Sequence, residues 1–264
     1  MNSAAVLYQS DCFDALRLLP EHSVSLVLCD PPYGVTRNPD DRPLDFRSLW
    51  PLIWRAAKPN AAVILFGQGA FSAELIMSQR KFYRYSLVWD KQLVSGHLNA
   101  KRMPLRRHED ILVFYQNQPV YHPQMQAGTK CHSVGKAAGK ERKQADSSNR
   151  NYGTHNVTQT TGNLKYPHSV LSFQKPHPSV CLHPTEKPVA LLEYLIRTYS
   201  DPGDTVLDFC MGSGSTGAAA MNLGRKFIGC ELNPQTFHTA NQRIKSTYRN
   251  QTCFPSKGMP YDQL

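Results

Sequence analysis

The sequence predicts a doubly wound α/β fold built on a mostly parallel, seven-stranded sheet. Seven short apolar runs end in polar or Gly/Pro punctuation, and stretches of helical spacing lie between several of them. A glycine turn also follows one run directly, and an acid closes the next. The predicted strands are Val6 to Tyr8, Val24 to Cys29, Ala61 to Phe66, Tyr85 to Trp89, Ile111 to Tyr115, Thr205 to Cys210 and Phe227 to Cys230. The predicted helices include Phe46 to Ala57, Phe71 to Gln79, Leu191 to Tyr199 and Thr216 to Leu223.

The chain has 264 residues, 41% of them hydrophobic and 19% charged, which suits one α/β domain with an elaboration and excludes a disordered chain or a coiled coil. A formal charge of +10 favours a polyanionic partner, nucleic acid first. The seven cysteines include no Cys-x-x-Cys pair, which fits a reducing cytoplasm. Cys131 beside His132, and Cys181 near His183, lack the paired spacing of a structural zinc site, so no metal is expected. No run of about 18 apolar residues occurs, so no membrane association is expected either.

The segment 116–182 breaks the rhythm and reads as an insertion outside the core. Between Gln116 and Val180, eight Lys or Arg residues face only Glu141 and Asp146. Loops this long are usually functional or disordered. The expected organisation is a first core half at 1–115, this insertion at 116–182, and a second core half at 183–264.

Thr205 to Thr216 reads as strand, glycine turn and helix start. Glycines allow close approach of backbone to a ligand, and free N–H groups at a helix start attract a carboxylate or phosphate. Glu231 ends the next strand, placed to accept from both hydroxyls of a ribose. Gly212, Gly214 and Gly217 also satisfy the dinucleotide fingerprint G-x-G-x-x-G. A dehydrogenase would continue with more strand and helix units, whereas the 33 residues after Glu231 hold no apolar strand run. The N-terminal segments must then complete the sheet, which predicts a permuted order.

After the run ending at Cys29 comes Asp30-Pro31-Pro32-Tyr33, at the carboxyl edge where open α/β sheets place ligands. Two prolines fix φ and push each preceding residue out of the helical region, giving a rigid turn that presents carbonyls and one carboxylate. Such acceptors suit a planar amino group like adenine N6. Holding both amino protons favours a tetrahedral nitrogen able to attack a methyl sulfonium directly. Tyr33 offers an aromatic face to a base flipped from its duplex. An ordinary tight turn is the alternative reading. Cys29 reads as a core residue, since an amino nitrogen needs no thiolate to attack.

Taken together, these motifs resemble the beta-class amino methyltransferases of DNA, the permuted group with the catalytic motif first, then target recognition, then cofactor motifs. Ser10-Asp11-Cys12 resembles the family segment at the cofactor adenine, Arg107 to Phe114 its last core strand, and His183 to Pro188 the segment before the helix beside the cofactor. The resemblance implies a circularly permuted, Rossmann-like methyltransferase fold, S-adenosylmethionine as cofactor and double-stranded DNA as substrate. It implies catalytic roles for Asp30, Pro31, Pro32 and Tyr33. Cofactor contacts are implied for Asp11, Cys12, Asp30, Thr185, Lys187, Asp208, Phe209, Gly212, Ser213, Gly214, Ser215, Thr216, Glu231 and Asn233, with Thr185 and Lys187 near the methionine carboxylate. The family commonly has Asp-Pro-Phe before its glycines; this chain has Asp208-Phe209-Cys210, the aromatic shifted by one. Asp-Pro-Pro-Tyr favours adenine in this family, and Ser-Pro-Pro-Tyr cytosine N4.

For DNA, the expected phosphate contacts are Lys91, Lys101, Arg102, Arg106 and Arg107 beside the insertion, and Lys130, Lys136, Lys140, Arg142 and Lys143 within it. The loop Gly34 to Phe46 reads as a cover over a flipped base. A homodimer and a cognate restriction endonuclease are expected from the resemblance alone. Rival readings are a cytosine-N4 enzyme, an RNA or protein-amide methyltransferase, and an inactive DNA-binding module.

Overall fold

The computed structural model describes residues 4–35, 41–128, 148–149, 153–154, 163–175 and 186–253. They fall into two units, one comprising 1–122 and 169–264, the other Pro123–His168.

In the larger unit the first half contains β1 (Ala5–Gln9), α1 (Cys12–Leu18), β2 (Val24–Cys29), α2 (Phe46–Ala56), β3 (Ala57–Gly67), α3 (Ala70–Ser78), β4 (Tyr83–Ser95) and β5 (Arg106–Phe114). The smaller unit holds two short antiparallel ladders: β6 (Gln126–Ala127) pairs with β9 (Leu164–Lys165), and β7 (Ser148–Asn149) with β8 (Gly153–Thr154). The larger unit resumes with β10 (Val170–Ser172), α4 (Val189–Tyr199), β11 (Thr205–Asp208), α5 (Ser215–Asn222), β12 (Lys226–Glu231) and α6 (Pro234–Cys253).

One sheet orders the strands β1-β12-β11-β2-β3-β5-β4-β10. Every neighbouring pair is parallel except the two that β5 makes, with β3 and with β4. The sheet is therefore mixed and eight-stranded, where seven strands were expected. All seven predicted runs lie in it. The eighth, β10, comes from 116–182, the stretch read as lying outside the core. Ser169 C=O accepts from Val88 N–H at 2.8 Å, and Phe173 C=O from the Trp89 indole at 2.8 Å. Leu171 alone of the strand is buried, so no apolar run announced it.

Alternation along the central strands builds two apolar layers. Leu26, Leu28, Ala62, Ile64, Phe66, Ile111 and Val113 face the layer made by α4, α5 and α6. Val27, Cys29, Val63, Leu65, Leu112 and Phe114 face the layer of α1, α2 and α3. A sheet covered on both faces requires strands that are apolar at every position, and all six residues of β2 are buried. Among the described residues no helix is long and apolar enough to cross a membrane.

Ile64 lies in the middle of β3, with β2 on one side and β5 on the other, and has no exposed surface. Ile64→Ala is expected to lower unfolding stability by about 2–5 kcal/mol through lost transfer energy and a cavity. The reading is a denaturant midpoint that falls with an unchanged slope.

Candidate functional site

β11 runs through α5 to β12, beside which β1 lies, on one side, while β2 leads to β3 on the other. The chain's direction of travel across the sheet thus reverses between β11 and β2, which is where an open α/β sheet leaves a crevice. Because β1, β12, β11 and β2 are mutually parallel, their carboxyl ends share one edge. That edge carries Asp11 and Cys12, Glu231, the glycine loop and Asp30.

Cys210 to Thr216 form the turn from β11 into α5. Gly212 and Gly214 have φ of +51° and +79°, a region that L side chains enter only with strain. A Cβ on Gly214 would also come within 3.0 Å of Ala240 in α6, and one on Gly217 within 2.5 Å of Ile244. The third glycine of the fingerprint is therefore a packing residue.

Carboxylates pin the loop. Asp208 is buried and accepts from Cys210 N–H at 3.1 Å, with the Thr216 hydroxyl and Cys29 thiol as further partners. Burial pushes its carboxyl up to about 6. Glu231 accepts from Gly212 N–H at 3.0 Å with one oxygen and from Asn233 N–H at 2.9 Å with the other. Ser213 and Arg243 both reach Glu186, the arginine at 2.7 Å.

The Asp-Pro-Pro-Tyr turn leaves β2 with Pro31 buried. Asp30 Oδ1 accepts from the Tyr33 hydroxyl at 2.8 Å, and Oδ2 from the Lys187 ammonium. Lys187 is 7% exposed, with the Phe66 ring centroid 5.0 Å from its Nζ. It also pairs with Glu109 at 3.2 Å, and Glu109 with Lys91 at 3.2 Å. Burial lifts the Asp30 carboxyl above its usual range, with Lys187 opposing and Glu109 adding. Burial would likewise raise Glu109, but Lys187 and Lys91 outweigh it and hold that carboxyl low. Burial alone would weaken the Lys187 ammonium, yet the two carboxylates keep it firmly protonated. The Tyr33 ring packs 4.9 Å from Phe71.

Asp30, Phe66, Lys187, Asp208, Met211, Gly212, Ser213, Ser215 and Thr216 contribute to the lining of one cleft. The Asp30 turn and the glycine loop, 182 residues apart from Asp30 to Gly212, therefore meet.

Other candidates have different places. Asp11 caps α1 through Phe13 N–H at 2.8 Å, and Asn233 caps α6 through Gln235 N–H at 3.0 Å. Phe209 is buried in the α1–α3 layer and does not line the cleft. Lys91, expected on a phosphate, is 4% exposed and paired with Glu109, so it is no surface cation. Arg107 is already engaged by Asp90 through two contacts of 2.7 and 3.0 Å. Lys101 and Arg102 are exposed between β4 and β5, and Arg106 is exposed at the start of β5. Thr185, Lys130, Lys136, Lys140, Arg142 and Lys143 lie outside the described residues, as does part of the covering loop, 36–40. The Cys29 thiol is buried, and that burial raises it far out of thiolate range. Glu109, Glu186 and Arg243 were not anticipated as site residues. The available signal was a charge within or beside an apolar run, as at Glu109.

A cleft at the switch point, with a glycine loop on one wall and a proline-turn carboxylate on the other, defines an α/β group-transfer enzyme with a nucleotide-like cofactor. Residues 24–242 match the model of the N6/N4 methyltransferase family, described as DNA methylase, and the chain belongs to that family. It is 27% identical over 248 residues to the Type II methyltransferase M1.MboII of Moraxella bovis, covering 89% of this chain and 94% of that one. It is 27% identical over 257 residues to the DNA adenine methyltransferase YhdJ of Escherichia coli (strain K12), covering 92% and 83%. Its fold is similar to that of M1.HpyAVI in complex with SAM (TM-score 0.62, 22% identity, 91% of this chain and 98% of the other). It is also similar to the cytosine-N4-specific PvuII DNA methyltransferase (TM-score 0.63, 16% identity, 94% and 92%).

Removing the Glu231 carboxylate orphans two backbone N–H groups. Glu231→Ala is expected to cost about 1–3 kcal/mol of stability, and Glu231→Gln less because an acceptor oxygen remains. Chemical denaturation of the three proteins without ligand checks the order.

Proposed function

We propose that the chain is a beta-class enzyme that moves a methyl group from S-adenosylmethionine to N6 of an adenine flipped out of double-stranded DNA. The observation that carries this reading is the shared cleft, with the Asp30 carboxylate opposite the glycine loop.

When bound, S-adenosylmethionine supplies an electrophilic methyl group on a sulfonium. Loop N–H groups and Glu231, at the end of β12, suit its polar parts, and Phe66 and Met211, which line the cleft, its apolar ones. Asp30 and the Pro31 carbonyl accept the two hydrogens of the amino group, drawing its lone pair out of the ring. Asp30 is the base within reach of the proton that nitrogen loses after transfer, and its raised carboxyl suits that task. Tyr33, held by its hydroxyl on Asp30 and packed against Phe71, supplies the aromatic face for the flipped base.

Asp rather than Ser at position 30 favours adenine by family resemblance, and the relative YhdJ is an adenine methyltransferase. The permuted reading rests on motif order: Asp30 precedes the glycine loop in the chain. Lys101 and Arg102 on the β4–β5 connection and Arg106 at the start of β5 stand at the edge where Asp30 lies, and serve as phosphate contacts. The Pro123–His168 unit, with its flanks and basic residues, serves in target recognition. Likeness to Type II methyltransferases supports a role in restriction-modification beside a cognate endonuclease.

Labelled S-adenosylmethionine and mixed-sequence duplex DNA, followed by digestion to nucleosides, are expected to yield N6-methyladenine, with none from Asp30→Ala. N4-methylcytosine would keep the mechanism and overturn the base; label only in RNA or protein would overturn the substrate. DNA affinity is expected to fall about 100-fold from roughly 50 to 200 mM salt, as for about four phosphate contacts. Lys101→Ala and Arg102→Ala should each lower the salt slope by about one. A flat dependence in a filter-binding titration would remove DNA from the reading.

A further inference from the structure

Both oxygens of Asp30 are already occupied. Oδ1 accepts from the Tyr33 hydroxyl and Oδ2 from the Lys187 ammonium. Each oxygen keeps a second lone pair, but a substrate amino group that docks on Asp30, as the proposed function requires, competes with the Lys187 ammonium for Oδ2 and for the charge of the carboxylate. Lys187 cannot retreat to water: it is buried among the rings of Phe66, Tyr33 and Trp89, 5.0 to 5.9 Å from Nζ. A buried ammonium without a counter-charge is strongly disfavoured.

A second carboxylate stands ready. Glu109 Oε2 is 3.2 Å from Lys187 Nζ, while Lys91 on β4 holds the other oxygen at 3.2 Å. The four groups make a balanced set, two carboxylates with two ammoniums.

We propose that Glu109 is a positioning residue: as the amino group docks, Lys187 shifts its hydrogen bond from Asp30 Oδ2 to Glu109 Oε2, freeing Asp30 to accept from the substrate. No proton changes owner in that step. Lys91 keeps Glu109 ionised, so the second seat is always available. The shift of a single hydrogen-bond donor within one buried group requires no backbone movement.

Among the described residues, the charged and titratable groups around Asp30 are Tyr33 and Cys29 on its own turn and strand, Glu109 from β5, Lys187 from the segment before α4, and Asp208 from β11. Glu109 raises the Asp30 carboxyl, and Asp30 has to be ionised to accept. The acid limb of kcat against pH reports that ionisation.

The test is steady-state methylation of duplex DNA by Glu109→Gln, Glu109→Asp and Lys91→Met, with folding checked by thermal melts. Glu109→Gln should cut kcat by about tenfold or more while leaving both KM values within about twofold, the pattern of an interaction needed after binding. Its acid limb should move to lower pH, because a negative charge beside Asp30 is gone. Lys91→Met should move the limb the other way, because the charge of Glu109 is then less compensated. Glu109→Asp should recover part of kcat. A folded Glu109→Gln with unchanged kcat and acid limb would overturn the proposal. So would limbs that move in the same direction in both variants. Should Glu109→Gln fail to fold, the direction of the Lys91→Met limb decides. A wild-type protein that methylates no nucleic acid would overturn the function beneath the proposal, whereas an active wild type with an indifferent Glu109→Gln would overturn this inference alone.

Discussion

Val206 pairs with Leu26 and Leu207 with Val27, and this two-residue register between β11 and β2 sets where everything else in the site can be. The two strands belong to opposite ends of the chain and carry different chemistry. In parallel pairing their carboxyl ends leave the sheet side by side, so the turn at Asp30 and the turn at Cys210 must open into the same space. Their connections diverge to opposite sides of the sheet, so no crossover segment fills the crevice. Both strands are almost wholly buried. A one-residue slip would turn every side chain to the other apolar layer, which makes the register strongly specified.

That burial explains the electrostatics. A carboxylate at the end of a buried strand is poorly hydrated, and so Asp30 and Asp208 are both raised. The protein answers the two cases differently. Asp208 receives neutral donors, a backbone N–H, a hydroxyl and a thiol, which hold the glycine turn in shape. Asp30 receives a tyrosine hydroxyl and a full charge from Lys187, which leaves it reactive and counterbalanced at once.

Much of this was legible in the sequence, because a sheet covered on both faces demands continuous apolar strands. The runs at 24–29, 61–66 and 111–115 therefore announced themselves, and Pro or Gly punctuation located the two functional turns. β10 stayed hidden because its sheet pairing is made by backbone, with one buried side chain. α6 stayed hidden because its covered stripe is thin: Ala240 and Ile244 are its fully buried apolar residues among those described. The partners of Asp30 were harder still. Lys91 and Glu109 carry charges on paired strands, and only pairing reveals that they neutralise each other instead of facing solvent. Lys187 reads as a surface lysine until α4 is placed against β2.

The shifted aromatic before the glycines shows how such a site tolerates sequence change. Phe209 belongs to the α1–α3 layer, which also contains Cys12, Cys29 and Cys230, so its ring fills core volume rather than the cleft. The cleft's apolar wall is instead supplied by Phe66, Met211 and Leu192, from three separate elements. Apolar contact to a ligand is not directional, and any side chain that reaches the space can provide it. Polar contacts are different. The Gly212 N–H needs Glu231, and Lys187 needs Asp30 and Glu109, each at hydrogen-bond distance. The geometry of this cleft is therefore held by a few charged and backbone groups, while the identity of its apolar lining is free to drift.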